Sequence, residues 1–195
     1  MKRLEKVLVV LILLGAIGSL LRIDYSNYIF LVGCTVISML YFFFSFALFN
    51  DVKIRNITKP GSFKSIGRVI GSIGLGIALS IVIIGIQFKF FVLVGSDNML
   101  NIGSTFLTII GIVATIILIA RNRQQPDFYL RVFKRLVPAL LIGVISYITP
   151  GEYIIDIRYS DNPKLAELIK QSLHEPYDKE LFNKIQKEKE KENSK

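Results

Sequence analysis

The chain has 195 residues, 52% hydrophobic and 20% charged, with 24 Lys and Arg against 15 Asp and Glu. Its apolar residues stand in charge-free blocks at 7–21, 25–50, 69–88, 98–120 and 136–151. That distribution excludes an ordinary soluble domain, whose helices alternate apolar and polar faces. One cysteine and one histidine exclude an internal disulfide and a His-rich metal site.

A helix needs ~20 mostly apolar residues to cross a bilayer. Spans are therefore predicted over about 6–22, 28–49, 69–92, 98–120 and 130–149, making residues 1–150 a transmembrane domain and 151–195 a polar tail. The first block has the outline of a secretory signal, with Ala16-Ile17-Gly18 as a small-x-small site. Arg22 and the second span that follows at once favour an uncleaved membrane helix. Cys34, inside the second span, reads as a small packing residue. The third span carries Gly67-xxx-Gly71 and Ser72-xxx-Gly76-xxx-Ser80. Such spacing lets helix backbones approach in lipid, so Gly71, Gly74, Gly76, Ala78 and Ser80 are the candidate helix-packing residues, within the chain or between copies.

Polar residues inside spans are default functional candidates. Here they are Gln87 and Lys89 near the end of the third span, with Asp97, Asn98 and Asn101 opening the fourth. Lys89 can snorkel toward Asp97 as an anchor with a counter-ion, or the group can form a polar contact site at an outer vestibule. The fifth block is short and holds Pro138, and Arg131, Lys134 and Arg135 share one helical face before it. An amphipathic surface helix would need a polar face throughout, which 137–148 lacks, so a short, kinked fifth span is the better reading.

Short-loop Lys and Arg set orientation. Lys2, Arg3 and Lys6, then Lys53, Arg55, Lys59, Lys64 and Arg68, then Arg121, Arg123, Arg131, Lys134 and Arg135 all fall on one side, against Arg22 and Lys89 on the other. The expectation is a multi-pass protein of a bacterial cytoplasmic (inner) membrane, its N-terminus cytoplasmic, tight external turns at 24–27 and 95–98, and its tail external. Of the 24 bases, 15 precede residue 151 against five acids. Bases between spans need no nucleic-acid partner to explain them.

In the tail, Tyr153, Ile155, Ile157 and Tyr159 alternate with Glu152, Asp156 and Arg158, broken only by Ile154, which predicts a short strand or extended edge. Asn162-Pro163 then caps a helix that ends at Pro176, and Asp178 caps a second. From Lys187 the chain is almost all Lys and Glu and is predicted to be a frayed, solvated end. The apolar stripes Leu165, Leu168, Ile169 and Leu181, Phe182, Ile185 need cover. The membrane surface, the protein's own outer face or a partner could supply it, so these six are candidate partner-binding residues.

Sliding the chain by 70 residues places Gly15 on Gly85, Ser26 on Ser96, Gly33 on Gly103 and Thr35 on Thr105. Two similar helical hairpins, each followed by a basic connector, are expected as a parallel internal repeat.

At the second hairpin, Val82-Ile83-Ile84-Gly85-x-x-Phe88-Lys89 and Met99-Leu100-x-Ile102-Gly103 resemble the inner-membrane motor subunit of gliding motility and type IX secretion in Bacteroidota. The resemblance covers residues 82–116 and implies a related hairpin in an envelope assembly. Two departures limit it. The family's histidine, three residues after the lysine, is Val92 here, and its intramembrane glutamate has no counterpart in 103–120. A proton-driven motor needs an ionisable group in the membrane.

Catalytic patterns are missing. His174 has no companion ligand, Ser72, Ser80, Ser104 and Ser146 have no histidine base in the membrane half, and Gly71-Ser72-Ile73-Gly74-Leu75-Gly76 lies inside a span where no phosphate loop could work. The expectation is an all-α, polytopic, non-enzymatic protein without cofactor or metal. It would hold partners in an envelope complex; the alternative is a small channel or transporter acting as a homo-oligomer.

Overall fold

The computed structural model describes residues 2–21, 23–52, 66–120, 126–175 and 178–193, and among them every regular element is an α-helix. Arg22, Lys53, Arg55, Lys59, Lys64, Arg121, Arg123, Pro176 and the His174 side chain lie outside the described residues. The helices are α1 (Lys2–Leu20), α2 (Ser26–Asn50), α3 (Ile66–Phe90), α4 (Ser96–Ala120), α5 (Pro126–Ile148), α6 (Gly151–Arg158), α7 (Pro163–His174) and α8 (Lys179–Asn193).

The fold is all-α and polytopic. Helices α2, α3 and α4, each 25 residues, are long and apolar enough to cross a membrane, and α5 with α6 passes the same test as a pair bent by 87°. In α1 the charges Arg3, Glu5 and Lys6 crowd the first turns, leaving 7–20 apolar. At the centre is α3, which packs on α2, α4 and α5, while α1 packs on α2. Its Leu75, Leu79 and Val82 are fully enclosed. A helix with lipid or protein all round can be apolar all round, which is why these blocks have no polar face.

Both tight turns lie at one end of the bundle. Equivalent backbone hydrogen bonds close them: Leu21 N–H to Ile17 O at 2.9 Å and Phe91 N–H to Gln87 O at 3.1 Å, then Ile23 N–H to Gly18 O and Leu93 N–H to Phe88 O, both 2.8 Å. Left-handed backbone falls at Tyr25 (φ 63°) in one turn and Gly95 (φ 88°) in the other. The helices of each hairpin also meet alike. A Cβ on Gly15 would come 2.6 Å from the Phe30 nitrogen, and one on Gly85 3.1 Å from the Leu100 nitrogen. A Cβ on Gly33 would lie 2.8 Å from Ile12 Cγ1, and one on Gly103 2.6 Å from Val82 Cγ2. All of these pairs stand 70 positions apart in the chain.

Helix α5 runs the length of α3. Near one end the Arg131 Nε–H donates to the Phe49 carbonyl at 2.9 Å. Beyond the other, the Arg158 guanidinium covers the rings of Phe90 and Phe91 at 4.7 and 5.4 Å. The tail therefore sits at the end that carries the two hairpin turns. Helical backbone continues through Pro138 over Pro126–Ile148, and a bend of 87° follows it, where Pro150 precedes α6. Pro138 removes only the bond to the Lys134 carbonyl, a loss one helix can absorb at an exposed position.

Two tail expectations are corrected. Residues 151–158 form helix α6 and no strand. Gly151, Ile154, Ile155 and Arg158 share its inward side, so Ile154, the exception to the period of two, belongs to a period of 3.6. The Lys/Glu-rich end is helical to Asn193, with Lys164 Nζ 3.5 Å and Lys191 Nζ 3.3 Å from the Glu188 carboxylate. Hydrogen bonding to Lys191 leads in holding that carboxylate below the usual range, with Lys164 adding to it. The cap residues act as expected. Asn162 accepts from the Leu165 N–H, and Asp178 Oδ1 from the N–H groups of Glu180 and Leu181.

Candidate functional site

Three places concentrate side chains with polar chemistry. The first is a cleft of about 340 Å³ at the hairpin end, walled by Lys89, 92–98, Gly151 and Leu173. The last turn of α3 aims Lys89 inward, where it is buried, and its ammonium meets Asp97 Oδ1 at 2.6 Å across the turn. Asp97 stands in the first turn of α4, where a carboxylate is also favoured by the helix dipole. The equivalent contact in the first hairpin is the Ser19 hydroxyl donating to the Asn27 side-chain oxygen, again eight residues apart. Lys89, Asp97 and Asn98 are thus brought together around the cleft. Gln87, two residues and about 200° round α3 from Lys89, is buried away from it. A closed Lys–Asp pair makes the cleft locally neutral.

The second place lies at the opposite end and is absent from the sequence reading. The Arg135 guanidinium grips the buried Glu5 carboxylate with two nitrogens, Nη2 to Oε2 at 2.6 Å, while the Tyr41 hydroxyl donates to Oε1 at 2.7 Å. Arg135 also donates to the Arg131 carbonyl at 3.1 Å and stands over the Phe49 ring at 5.2 Å. Bidentate guanidinium–carboxylate pairing is among the stronger charged contacts in proteins. Of the three bases expected on one face, Arg131 and Arg135 turn inward and Lys134 outward. The signal that could have revealed the cluster is Glu5 itself, the one acid among the bases that open the chain.

The third place is the small-residue face of α3, which divides. Ser72, Gly76, Ala78 and Ser80 are buried. Gly76 lies against Ser45 and the Tyr41 carbonyl, the Ser80 hydroxyl donates to the Ser38 carbonyl at 2.8 Å, and the Ser72 hydroxyl accepts from Asn50 at 3.1 Å. Gly71 and Gly74 instead have open space beyond them and line an apolar groove of about 310 Å³ between α3, α4 and α5. Cys34 is buried within α2 and is a free thiol.

In the tail, α7 and α8 pack on each other. Leu165, Leu181 and Ile185 are buried, with Leu168 and Ile169 partly so, while Phe182 is 60% exposed. The apolar stripes thus supply most of each other's cover. Lys170 pairs with Asp156 at 2.5 Å, tying α7 to α6. Among the described residues no three His, Cys, Asp or Glu side chains are grouped to hold a metal ion. Comparison with protein-family models, curated proteins and solved structures returns no match.

Proposed function

We propose that this chain is a non-enzymatic membrane protein of a bacterial inner membrane that positions partners in an envelope assembly. In this reading the N-terminus and the Glu5–Arg135 cluster face the cytoplasm, and the hairpin turns and α6–α8 face outward. The excess of Lys and Arg in the connectors supports that orientation. The likeness of the second hairpin to the Bacteroidota motor family supports the envelope setting. The two hairpins are read as copies of one unit.

The observation that carries the proposal is the tail. It forms a small helical knob anchored on the bundle by Arg158 over Phe90 and Phe91, and it presents Tyr153, Ile157 and Phe182 at 61%, 44% and 60% exposure. Large apolar side chains on a surface that is already anchored mark a contact surface for another protein.

Removing residues 161–195 deletes α7 and α8 and spares every span. The expected outcome is a protein that still inserts at wild-type levels but no longer co-sediments with its envelope partners. Phe182→Ser, which leaves Leu165, Leu181 and Ile185 in place, should weaken the same association. Partners retained by both variants would refute the role of the tail.

A further inference from the structure

We propose that α4 is the self-association helix of this protein: two copies pair through a polar seam formed by Asn101, Thr105, Thr108, Ile112, Thr115 and Ile119. All six are exposed, and their spacing of four, three, four, three and four residues is that of a heptad seam. The inference rests on the membrane-spanning reading of α4, and its test is independent of any role for the tail.

The outer surface of α4 is divided. One residue further along, Ile102, Phe106, Ile109, Val113 and Ile116 are also exposed and form a second stripe at the same spacing that is wholly apolar. Lipid fits that stripe. Four of the six residues in the neighbouring seam are polar, and polar side chains in spans face protein or water far more often than acyl chains. Thr108 and Thr115 donate to the Ser104 and Gly111 carbonyls of their own helix, each at 2.8 Å. Their oxygens can still accept. The Asn101 amide supplies donors, since among the described residues its side-chain hydrogen bond is one its oxygen accepts from Thr105 at 3.5 Å.

The chain itself shows what this face is suited to hold. Seventy residues earlier, Thr108 corresponds to Ser38 and Thr115 to Ser45. Those two serines lie in the interface between α2 and α3. Ser38 and Ser80 exchange hydroxyl-to-carbonyl bonds at 3.3 and 2.8 Å, and Ser45 receives Gly76. A helix docks on α2 at those two positions, and the corresponding positions of α4, Thr108 and Thr115, are open. The small-residue surface of α3 that fits it is already covered by α2.

A second copy is the occupant that matches. About a two-fold axis along the membrane normal, α4 runs parallel to its mate and equal positions meet. Asn101 then faces Asn101, a pair that holds both donors and acceptors, and Thr108 faces Thr108. A 3.5-residue repeat fits the left-handed crossing of about +20° common in membrane bundles. Val144 and Tyr147 of α5 flank the seam across a groove of about 320 Å³ and leave room for the approaching helix.

Single cysteines placed along α4 test this in native membranes under mild oxidation. Cys34 is 2% exposed and stays as it is, and the unsubstituted chain serves as the control. Asn101→Cys, Thr105→Cys, Thr108→Cys and Thr115→Cys are expected to give disulfide-linked dimers severalfold above Ile102→Cys, Phe106→Cys, Ile109→Cys and Val113→Cys. Asn101→Leu, read by dimer dissociation in detergent, should weaken pairing by roughly threefold to about fifteenfold, the range for one cross-helix hydrogen bond in a membrane. Equal linkage on both stripes, linkage confined to the apolar stripe, linkage only to a different protein, or none at any position would overturn the proposal.

Discussion

Arg135→Met, with Glu5 left in place, is expected to cost about 3–5 kcal/mol, because it strands a buried carboxylate without its partner. Side-chain exposures of 13% for Arg135 and 10% for Glu5 leave little water to compensate. The pair also bridges α1, which packs on α2, and α5, which packs mainly on α3 and α4. Equilibrium unfolding in mixed micelles would read the loss. The double variant Glu5→Met, Arg135→Met should recover most of it, since removing both charges leaves nothing buried and unpaired. If the single and double variants are equally unstable, the cluster matters for its packing and not for its charge.

Gly76→Ala should be the most damaging glycine-to-alanine change among the described glycines, costing about 3 kcal/mol, the upper end for overpacking. Its new Cβ would collide with Ser45 and with the Tyr41 backbone, and a backbone atom cannot swing aside as a side-chain tip can. Gly71→Ala and Gly74→Ala, on the same helix, meet nothing within 4 Å. They should be neutral or stabilising by roughly 0.5–1 kcal/mol, as for glycine replaced in a helix interior. Parallel unfolding of the three variants compares them. A stable Gly76→Ala would mean that α2 and α3 do not approach as closely as the structure has them.

The spans were legible because lipid imposes a simple rule. Charge-free runs become helices, and α2, α3 and α4 begin and end within about three residues of the boundaries expected from charge alone. The cap pairs Asn162-Pro163 and Asp178 were equally legible, since their chemistry is local. What failed was long-range or short-period. Tyr153, Ile155, Ile157 and Tyr159 alternate as a strand would, but the start after Pro150 and the burial of Ile155 with the partly buried Ile154 fit a helix. Glu5 and Arg135 are 130 residues apart, and no pattern in a single sequence joins them. The Gly71–Ser80 stretch reads as one small-residue stripe, yet α2 covers only the side bearing Gly76 and Ser80, because positions 71 and 74 point elsewhere on the turn.

The surface left over is as informative as the packing. Lys89 closes on Asp97, the serines of α3 bond with α2, and Glu5 is fully engaged, so the polar groups inside the bundle mostly hold the bundle together. Among the exposed features are the α6–α8 knob at one end and the seam along α4. Both are suited to contact with other chains, which is what a positioning component of an envelope assembly requires.

The decisive measurement is the mass and composition of the particle extracted intact from native membranes into nanodiscs. The expected particle contains this chain together with other envelope proteins in fixed ratio, and loses them when residues 161–195 are removed. A particle built of this chain alone, whatever its copy number, would contradict the positioning function.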